Sequence, residues 1–150
     1  MTQEITPEAR KAWMSLLSTA PEARLAALFD KLDNSPDHDT LRAPETGGVM
    51  VRGRAGGTGA PFNLGEMTVT RCTLKLASGA VGHGYVQGRS KRQAELAAKL
   101  DAMMQTEAAA EVEDKILTPL RTERDAARDA RAAKAAATKV DFFTMVRGED

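Results

Sequence analysis

The chain contains 150 residues, enough for one domain with a hydrophobic core, and its 21 basic and 21 acidic residues give a formal net charge of zero. Zero net charge argues against a general nucleic-acid binder, which needs excess positive charge to displace counterions. Because no run approaches the roughly 20 apolar residues that span a bilayer, and residues 1–13 lack a leader-like pattern, we expect a cytoplasmic protein with no membrane contact.

The first elements along the chain form a predicted helical hairpin. Thr6-Pro7-Glu8 combines a capping residue, a proline in the first turn and an acid at the positive end of a helix. Pro21 opens a second helix, whose apolar residues between 25 and 32 fall on one face, which indicates core packing. Residues 33–47 are rich in Pro, Asp, Asn and Gly and predict a loop, with His38 exposed in it.

Three strands and a glycine-rich run are predicted next. Alternation predicts a short strand over residues 49–54 and, after the glycines, a second strand over residues 66–76. Ser78-Gly79 fits a two-residue turn, and residues 80–87 return as the third strand.

The register of this predicted hairpin decides which side chains share a face. If the two residues that flank the turn pair with each other, Cys72 and His83 become diagonal neighbours on one fairly apolar face. Gly82 and Gly84 then lie on the opposite face beside basic side chains, among them that of Arg71. Since glycines carry no side chain, that second face is flat enough for another element to lie on it.

A further helix is predicted from Ser90, because Ser90 and Gln93 have the spacing of a capping box. Its apolar residues continue to Met104, and we expect the helix to pack on the apolar side of the hairpin. Arg89 and the two basic residues after Ser90 surround the helix N-terminus, which predicts an anion site; a plain solvated first turn is the alternative.

The pattern changes from residue 107. A weak apolar stripe over residues 112–120 breaks near Pro119, and residues 121–139 are almost wholly alanine and charge, with high helix propensity but no large apolar side chains. We therefore predict a compact domain over residues 1–106 and a helical extension with a docking tail over residues 107–150. The tail is expected to dock on another chain, or alternatively on its own domain, through Phe142, Phe143, Met145 and Val146.

Together these elements predict an α+β fold class. It would contain an N-terminal helical hairpin, a small antiparallel sheet with a central β-hairpin, a packed helix, and a long C-terminal helix with an apolar tail. The glycine run lacks the Lys-Ser or Lys-Thr of a phosphate loop and leads into a strand, and no dinucleotide-binding G-x-G-x-x-G is present.

Cysteine and histidine are scarce in this sequence. Two histidines and one cysteine do not supply an ordinary zinc site, so we expect no metal site and no cofactor. The lone Cys72 is typical of a small buried hydrophobe. A Cys72–His83 pair acting in an independent small enzyme is one alternative function.

A set of polar residues surrounds the glycine run. In "PFNLGE", residues 61–66, we expect Phe62 and Leu64 to anchor a structured loop that presents polar side chains. Arginine suits bidentate contacts with carboxylate or phosphate. A free-standing nucleic-acid-binding module using the Arg/Gly stretch is a second alternative. The candidate anion or shared-site residues are Arg71, His83, Arg89, Glu66 and Asn63.

Three segments together resemble one known family. "PFNLGEMTVTRC", "GHGYVQGR" and "DFFTMVRG" are similar to the G subunit of the bacterial carbon–phosphorus lyase system, the PhnG family, and the similarity extends over nearly the whole chain from about Trp13. The resemblance implies a role in organophosphonate catabolism. With the nucleosidase-like I subunit and the H and L subunits, the family is needed to form α-D-ribose 1-methylphosphonate 5-triphosphate, as methylphosphonate displaces adenine from ATP.

The resemblance also implies partners and a division of labour. The chain would be a subunit of a transferase complex without a complete active site of its own, docked mainly on the I subunit, with the J, H and K subunits as further members of the core complex. ATP and the phosphonate would be substrates of the complex, and this chain would bind no cofactor. A separate radical S-adenosylmethionine subunit would cleave the carbon–phosphorus bond later.

Overall fold

A computed structural model describes residues 5–140 of the chain. The elements are α1 (Pro7–Thr19), α2 (Glu22–Phe29), β1 (His38–Arg54), a 3-10 turn (Ala55–Gly57), β2 (Pro61–Leu76), β3 (Val81–Gln87), α3 (Lys91–Met103), α4 (Ala109–Val112), a π-helical turn (Glu113–Leu117) and α5 (Thr118–Ala137). The strands form one antiparallel sheet in the order β1-β2-β3. The predicted α+β class is confirmed, with its helical hairpin and long C-terminal helix. The four predicted docking residues from Phe142 to Val146 lie outside the described residues.

The helices α1 and α2 form the expected hairpin. The hydroxyl of Thr6 accepts a hydrogen bond from the Ala9 amide at 3.2 Å, and Pro7 begins the helix, where its missing N–H leaves no hydrogen bond unmade. Trp13 and Leu17 of α1 and Leu25 of α2 are buried in the core that α3 shares. No helix within residues 5–140 combines the length and the apolarity needed to cross a bilayer.

Strand β1 is longer than predicted, so the loop expected over residues 33–47 is wrong from residue 38 onward. Two irregularities in the β1–β2 ladder, one between Thr40 and Arg42 and one between Arg42 and Glu45, insert extra residues that interrupt the alternation. Pro44 falls in the second, where a missing N–H is tolerated. The side chain of His38 is only 19% exposed, with Nε2 3.6 Å from a Glu95 carboxylate oxygen, so the prediction of an exposed loop histidine is also wrong.

The register of the β2–β3 hairpin differs from the predicted one by one residue. Lys75 pairs with Val81, and Cys72 pairs with Gly84. The turn contains three residues rather than two: the Leu76 amide bonds to the Ala80 carbonyl, and Gly79 between them has a φ of 94°. Because side chains alternate along a strand, this slip moves every residue of β3 to the other face.

The glycines of β3 therefore face the core rather than a free surface. A Cβ added at Gly82 would overlap the backbone oxygen of Ala98, and one at Gly84 would overlap that of Ala94. Both oxygens belong to α3, so the glycines let this helix approach the sheet closely. Helix α3 packs on the apolar side of the hairpin as predicted, but Gly82 and Gly84 lie on that side beneath the helix, so the prediction that they form a flat second face beside basic side chains is wrong.

The described core continues beyond α3. Val112, Ile116 and Leu117 are fully buried, and Leu120 is nearly so. The chain stays helical through Pro119, which lies in the first turn of α5 after the wider π-helical turn. The predicted boundary between residues 1–106 and 107–150 remains a prediction, although core packing extends past it. Almost every residue of α5 after Leu120 is exposed.

Candidate functional site

The sheet face opposite α3, here called the outer face, carries two of the predicted site residues. Arg71 lies opposite Tyr85 in the ladder, and Thr73 lies opposite His83. Arg71 and His83 are therefore diagonal neighbours on one exposed surface. The imidazole Nδ1 of His83 lies 3.2 Å from the Thr73 hydroxyl. The outer face thus combines a guanidinium, an imidazole and a phenol.

Arg71 takes part in an exposed ion-pair cluster that sequence reasoning missed. Its Nε donates to Glu45 Oε1 at 2.6 Å, and Arg42 Nη1 donates to the same oxygen at 2.7 Å. Two hydrogen bonds hold the pKa of the Glu45 carboxyl below its ordinary value. The bond from Arg42 has the larger effect, and the bond from Arg71 has the next largest. Two guanidinium groups share one carboxylate, which leaves one net positive charge for an anion to meet. A strand predicted through Glu45 would have indicated its pairing with Arg71, but the sequence pattern predicted a loop there.

A depression with a volume of about 330 Å³ adjoins this cluster. Glu45, Arg71 and Tyr85 line it together with the backbone of Gly47 and Gly48. A Cβ added at Gly47 would meet nothing within 4 Å, so the glycine leaves this part of the surface bare. The volume is at the lower end for a small-molecule site. Its lining is suited to a small anionic group held between guanidinium, phenol and backbone.

The other three candidate residues are not gathered around Arg71. Glu66 lies five residues before Arg71 in an unbroken stretch of ladder, so the two side chains point to opposite faces. Asn63 lies farther along β2, opposite Arg52. Arg89 follows Gly88, which is tied to β2 by two hydrogen bonds, and is exposed just before α3. Only Arg71 and His83 are therefore neighbours among the five candidates.

The "PFNLGE" segment is part of β2 rather than a loop. Residues 61–63 pair with residues 52–54 of β1. Phe62 is 44% exposed and Leu64 is 67% exposed, so the expectation that they anchor a loop is wrong. Their apolar side chains lie in solvent because no helix within residues 5–140 covers this end of the sheet.

The structure separates Cys72 from His83. Cys72 is buried against α3 at 2% exposure, whereas the His83 side chain is on the outer face. Burial, and to a lesser degree the charge of Glu95, raises the pKa of the Cys72 thiol. A thiol held neutral on the far side of the sheet cannot form a nucleophilic pair with this imidazole. The predicted diagonal pairing is wrong because the register slipped by one residue.

The start of α3 has half of the predicted capping box. Ser90 Oγ accepts from the Gln93 amide at 3.0 Å. The Gln93 side chain does not complete the box but is buried, donating to the carbonyls of Leu17 and Ala20 at the end of α1. Lys91 and its neighbour Arg92 are exposed in the first turn. The anion site at this helix start remains a prediction.

Comparison with known proteins assigns the chain to a family. The family model described as phosphonate metabolism protein PhnG matches residues 8–148. The chain belongs to the PhnG family. It is also 46% identical over 141 residues, covering 94% of this chain and 90% of the relative, to the α-D-ribose 1-methylphosphonate 5-triphosphate synthase subunit PhnG of Rhizobium meliloti (strain 1021). The resemblance of the three short segments is confirmed, and neither match supports a nucleic-acid-binding module.

Sequence reasoning also missed the buried carboxylate at the centre of this PhnG-family fold. Asp101 of α3 is fully buried, and each of its oxygens accepts two hydrogen bonds. Oδ1 accepts from Arg10 Nε at 3.1 Å and Trp13 Nε1 at 2.9 Å. Oδ2 accepts from Arg10 Nη2 at 2.6 Å and from the His83 amide at 2.9 Å. An acid within the apolar stripe of a predicted helix was the signal available in the sequence.

This arrangement makes Asp101 a positioning residue. Its four hydrogen bonds leave neither carboxylate oxygen free for a substrate. They join α1 and α3 to the edge of β3 and fix the backbone from which the His83 side chain reaches the outer face. Within residues 5–140, no three His, Cys, Asp or Glu side chains are grouped so as to hold a metal ion.

Proposed function

We propose that this PhnG-family chain is a subunit of an α-D-ribose 1-methylphosphonate 5-triphosphate synthase, within the carbon–phosphorus lyase core complex of organophosphonate catabolism. The observation that carries the proposal is the 46% identity to a synthase subunit over 94% of this chain and 90% of that relative. Similarity over nearly the full length of both chains favours a shared role rather than a shared fragment.

The chain acts with other subunits, chiefly the nucleosidase-like I subunit, and also with H and L in the synthase reaction. The J, H and K subunits are its further neighbours in the core complex. The catalytic groups reside mainly on the I subunit, and this chain binds no cofactor. In support, Cys72 and His83 lie on opposite sides of the sheet, and the carboxylate of Asp101 is saturated by internal donors.

The outer face contributes to a shared anionic site. Arg71, with the depression beside it, offers a guanidinium suited to the triphosphate or phosphonate oxygens. His83 supplies an additional polar contact on the same face, and Arg89, which lies apart from Arg71 just before α3, supplies a second exposed guanidinium from that separate position. Glu45 holds Arg71 in place before the anion arrives, since the two side chains are hydrogen-bonded.

The test of the subunit role is reconstitution. The full chain is co-expressed with the I, H and L subunits, and adenine release from ATP plus methylphosphonate is measured. We expect release with the chain present and a loss of release when it alone is omitted. Equal adenine release without the chain, or failure of the chain to elute with the other subunits, would refute the proposed function.

The shared anionic site is tested by charge reversal within the assembled complex. Arg71→Glu and Arg89→Glu should each lower synthase activity roughly ten- to hundredfold, the range expected when a hydrogen bond to a charged group is lost. Arg128→Glu, an exposed site on α5, is the matched control and should retain activity. Unchanged activity of Arg71→Glu and Arg89→Glu in complexes of normal composition would remove the anionic site from the proposal.

A further inference from the structure

The backbone of His83 is fixed by the core, although the side chain is exposed. The His83 amide donates to the fully buried carboxylate of Asp101 at 2.9 Å. Gly82 and Gly84, on either side, lie so close to α3 that a Cβ at either position would overlap a carbonyl oxygen of the helix. The point from which the imidazole projects is therefore set by α3 and not by the solvent-exposed surface around it.

The imidazole is also held at one of its two ring nitrogens. Thr73 lies directly opposite His83 in the β2–β3 ladder, and its hydroxyl is 3.2 Å from Nδ1. Within residues 5–140 this is the one hydrogen bond that the hydroxyl makes, and Nε2 of the ring has no partner there. With the amide and Nδ1 both engaged, Nε2 is the ring nitrogen left to meet a ligand.

The direction of the bond between Thr73 and His83 decides what Nε2 can recognise. A neutral imidazole has one N–H donor and one acceptor nitrogen, and the bond that one nitrogen makes sets which of them carries the proton. The Thr73 hydroxyl proton has no other acceptor among the described residues, which favours donation to Nδ1. The ring proton then lies on Nε2, which becomes a hydrogen-bond donor on the outer face.

The charged groups beside His83 favour an anionic oxygen as the acceptor. Arg71 and Lys75 are its diagonal neighbours, one on either side, and Glu45 and Asp39 lie opposite them in β1. Glu45 occupies only Nε of Arg71, so both terminal nitrogens of that guanidinium lack a partner in residues 5–140. Lys75 forms no ion pair in the same range. An oxyanion beside Nε2 would therefore meet N–H donors on both sides.

We propose that Thr73 is a positioning residue of the shared anionic site: its hydroxyl holds the His83 imidazole with the proton on Nε2, and Nε2–H donates to a phosphoryl or phosphonyl oxygen of a substrate. This inference rests on the proposed function, since that function supplies the anion. Thr73 does not touch the anion and acts through the ring. Because backbone, ring and tautomer are set before the anion arrives, binding requires less ordering of this donor.

The tautomer is measured by nitrogen-15 NMR on the full chain without a polyhistidine tag. The sequence contains two histidines, so His38→Gln assigns the signals of His83. In mildly alkaline buffer, where histidine side chains are neutral, the wild type should show a protonated Nε2 and an unprotonated Nδ1. Thr73→Val keeps the β-branched shape without the hydroxyl and should move both nitrogens toward the average of two exchanging tautomers. Thr73→Ser should restore the wild-type signals, and Thr68→Val, the same change earlier in β2, should leave them unaltered.

The role in the shared site is measured by adenine release in the complex with the I, H and L subunits. Thr73→Val should lower kcat/KM roughly two- to tenfold, the effect of losing one ordinary hydrogen bond. Thr73→Ser should keep most of the activity, and Thr68→Val is again the matched control. A rise in KM for methylphosphonate alone would assign the oxygen to the phosphonate, and a rise in KM for ATP alone would assign it to the triphosphate.

A double variant separates positioning from a purely structural role. If Thr73 acts only through the ring, Thr73→Val should cause no further loss of adenine release in a chain that already carries His83→Phe. Additive losses, a wild-type ring protonated on Nδ1, or full activity of Thr73→Val despite an altered tautomer would each overturn the inference and leave the subunit role intact. A wild-type chain that neither joins the complex nor supports adenine release would refute the proposed function itself.

Discussion

Replacement of Asp101 by alanine tests whether one buried carboxylate holds α1, α3 and β3 together. The substitution removes the acceptor of four hydrogen bonds. The buried indole N–H of Trp13 and the half-buried amide of His83 would lose their partner, and Arg10 would lose its counter-ion.

The expected loss follows from the groups left unpaired. Each buried donor without a partner costs about 1–3 kcal/mol, and breaking a buried ion pair by removing one partner costs about 3–5 kcal/mol. The Arg10 side chain is 33% exposed, so water compensates part of its loss. We expect a decrease of about 3–5 kcal/mol in the free energy of unfolding, a large share of the roughly 5–15 kcal/mol typical of a native protein.

The assay is urea unfolding of the purified full chain, followed by circular dichroism and tryptophan fluorescence. Asp101→Asn should also destabilise the chain, because the amide nitrogen that replaces one carboxylate oxygen cannot accept a hydrogen bond. Asp129→Ala, an exposed change on α5, is the control and should shift stability by less than about 0.5 kcal/mol. A loss below about 1 kcal/mol for Asp101→Ala would refute the argument that this carboxylate joins the three elements.

Three further outcomes are expected. Gly84→Ala should lower the free energy of unfolding in the urea assay by about 1–3 kcal/mol, because its Cβ would overlap α3, whereas Gly65→Ala should be nearly neutral in the same assay. The carboxyl of Glu45 should titrate by NMR below its ordinary pKa of 4.5; its stabilising effect is present above pH 4.5 and is lost as pH falls through the lowered value, and Arg42→Gln should move the titration upward. Cys72 should react with iodoacetamide far more slowly in the folded chain than in urea, since it is buried and its thiol pKa is raised, and equal rates would contradict its placement.

The helices could be predicted from the sequence because their signals are local. Thr6 and Ser90 both cap helices as expected, and the apolar stripe of α2 is buried. The first part of strand β1, which begins at residue 38, could not be predicted, because two irregularities and Pro44 interrupt the alternation of its side chains. A wide π-helical turn likewise keeps the chain helical where Pro119 suggested a break. Such features depend on pairing and packing with distant residues rather than on local pattern.

The sequence named individual candidate residues but did not predict how they are arranged. Arg71 and His83 were expected on opposite faces of the hairpin, and Cys72 beside His83. One additional residue in the turn reverses both relationships, because a strand shifted by one position exchanges its faces. Choosing between a two-residue and a three-residue turn needed the position of α3, which packs only where Gly82 and Gly84 leave space.

The same glycines connect the core to the surface that partners would meet. Because α3 lies directly against the backbone of β3, the helix occupies the inner side of the hairpin and leaves Arg71, Tyr85 and His83 together on the outer side. Asp101, on that same helix, accepts a hydrogen bond from the His83 amide and so holds the β3 backbone in place at that residue. The helix therefore fixes where the outer-face side chains lie while contributing none of them, so substitutions at the α3–β3 contact should alter a shared site without touching its ligand.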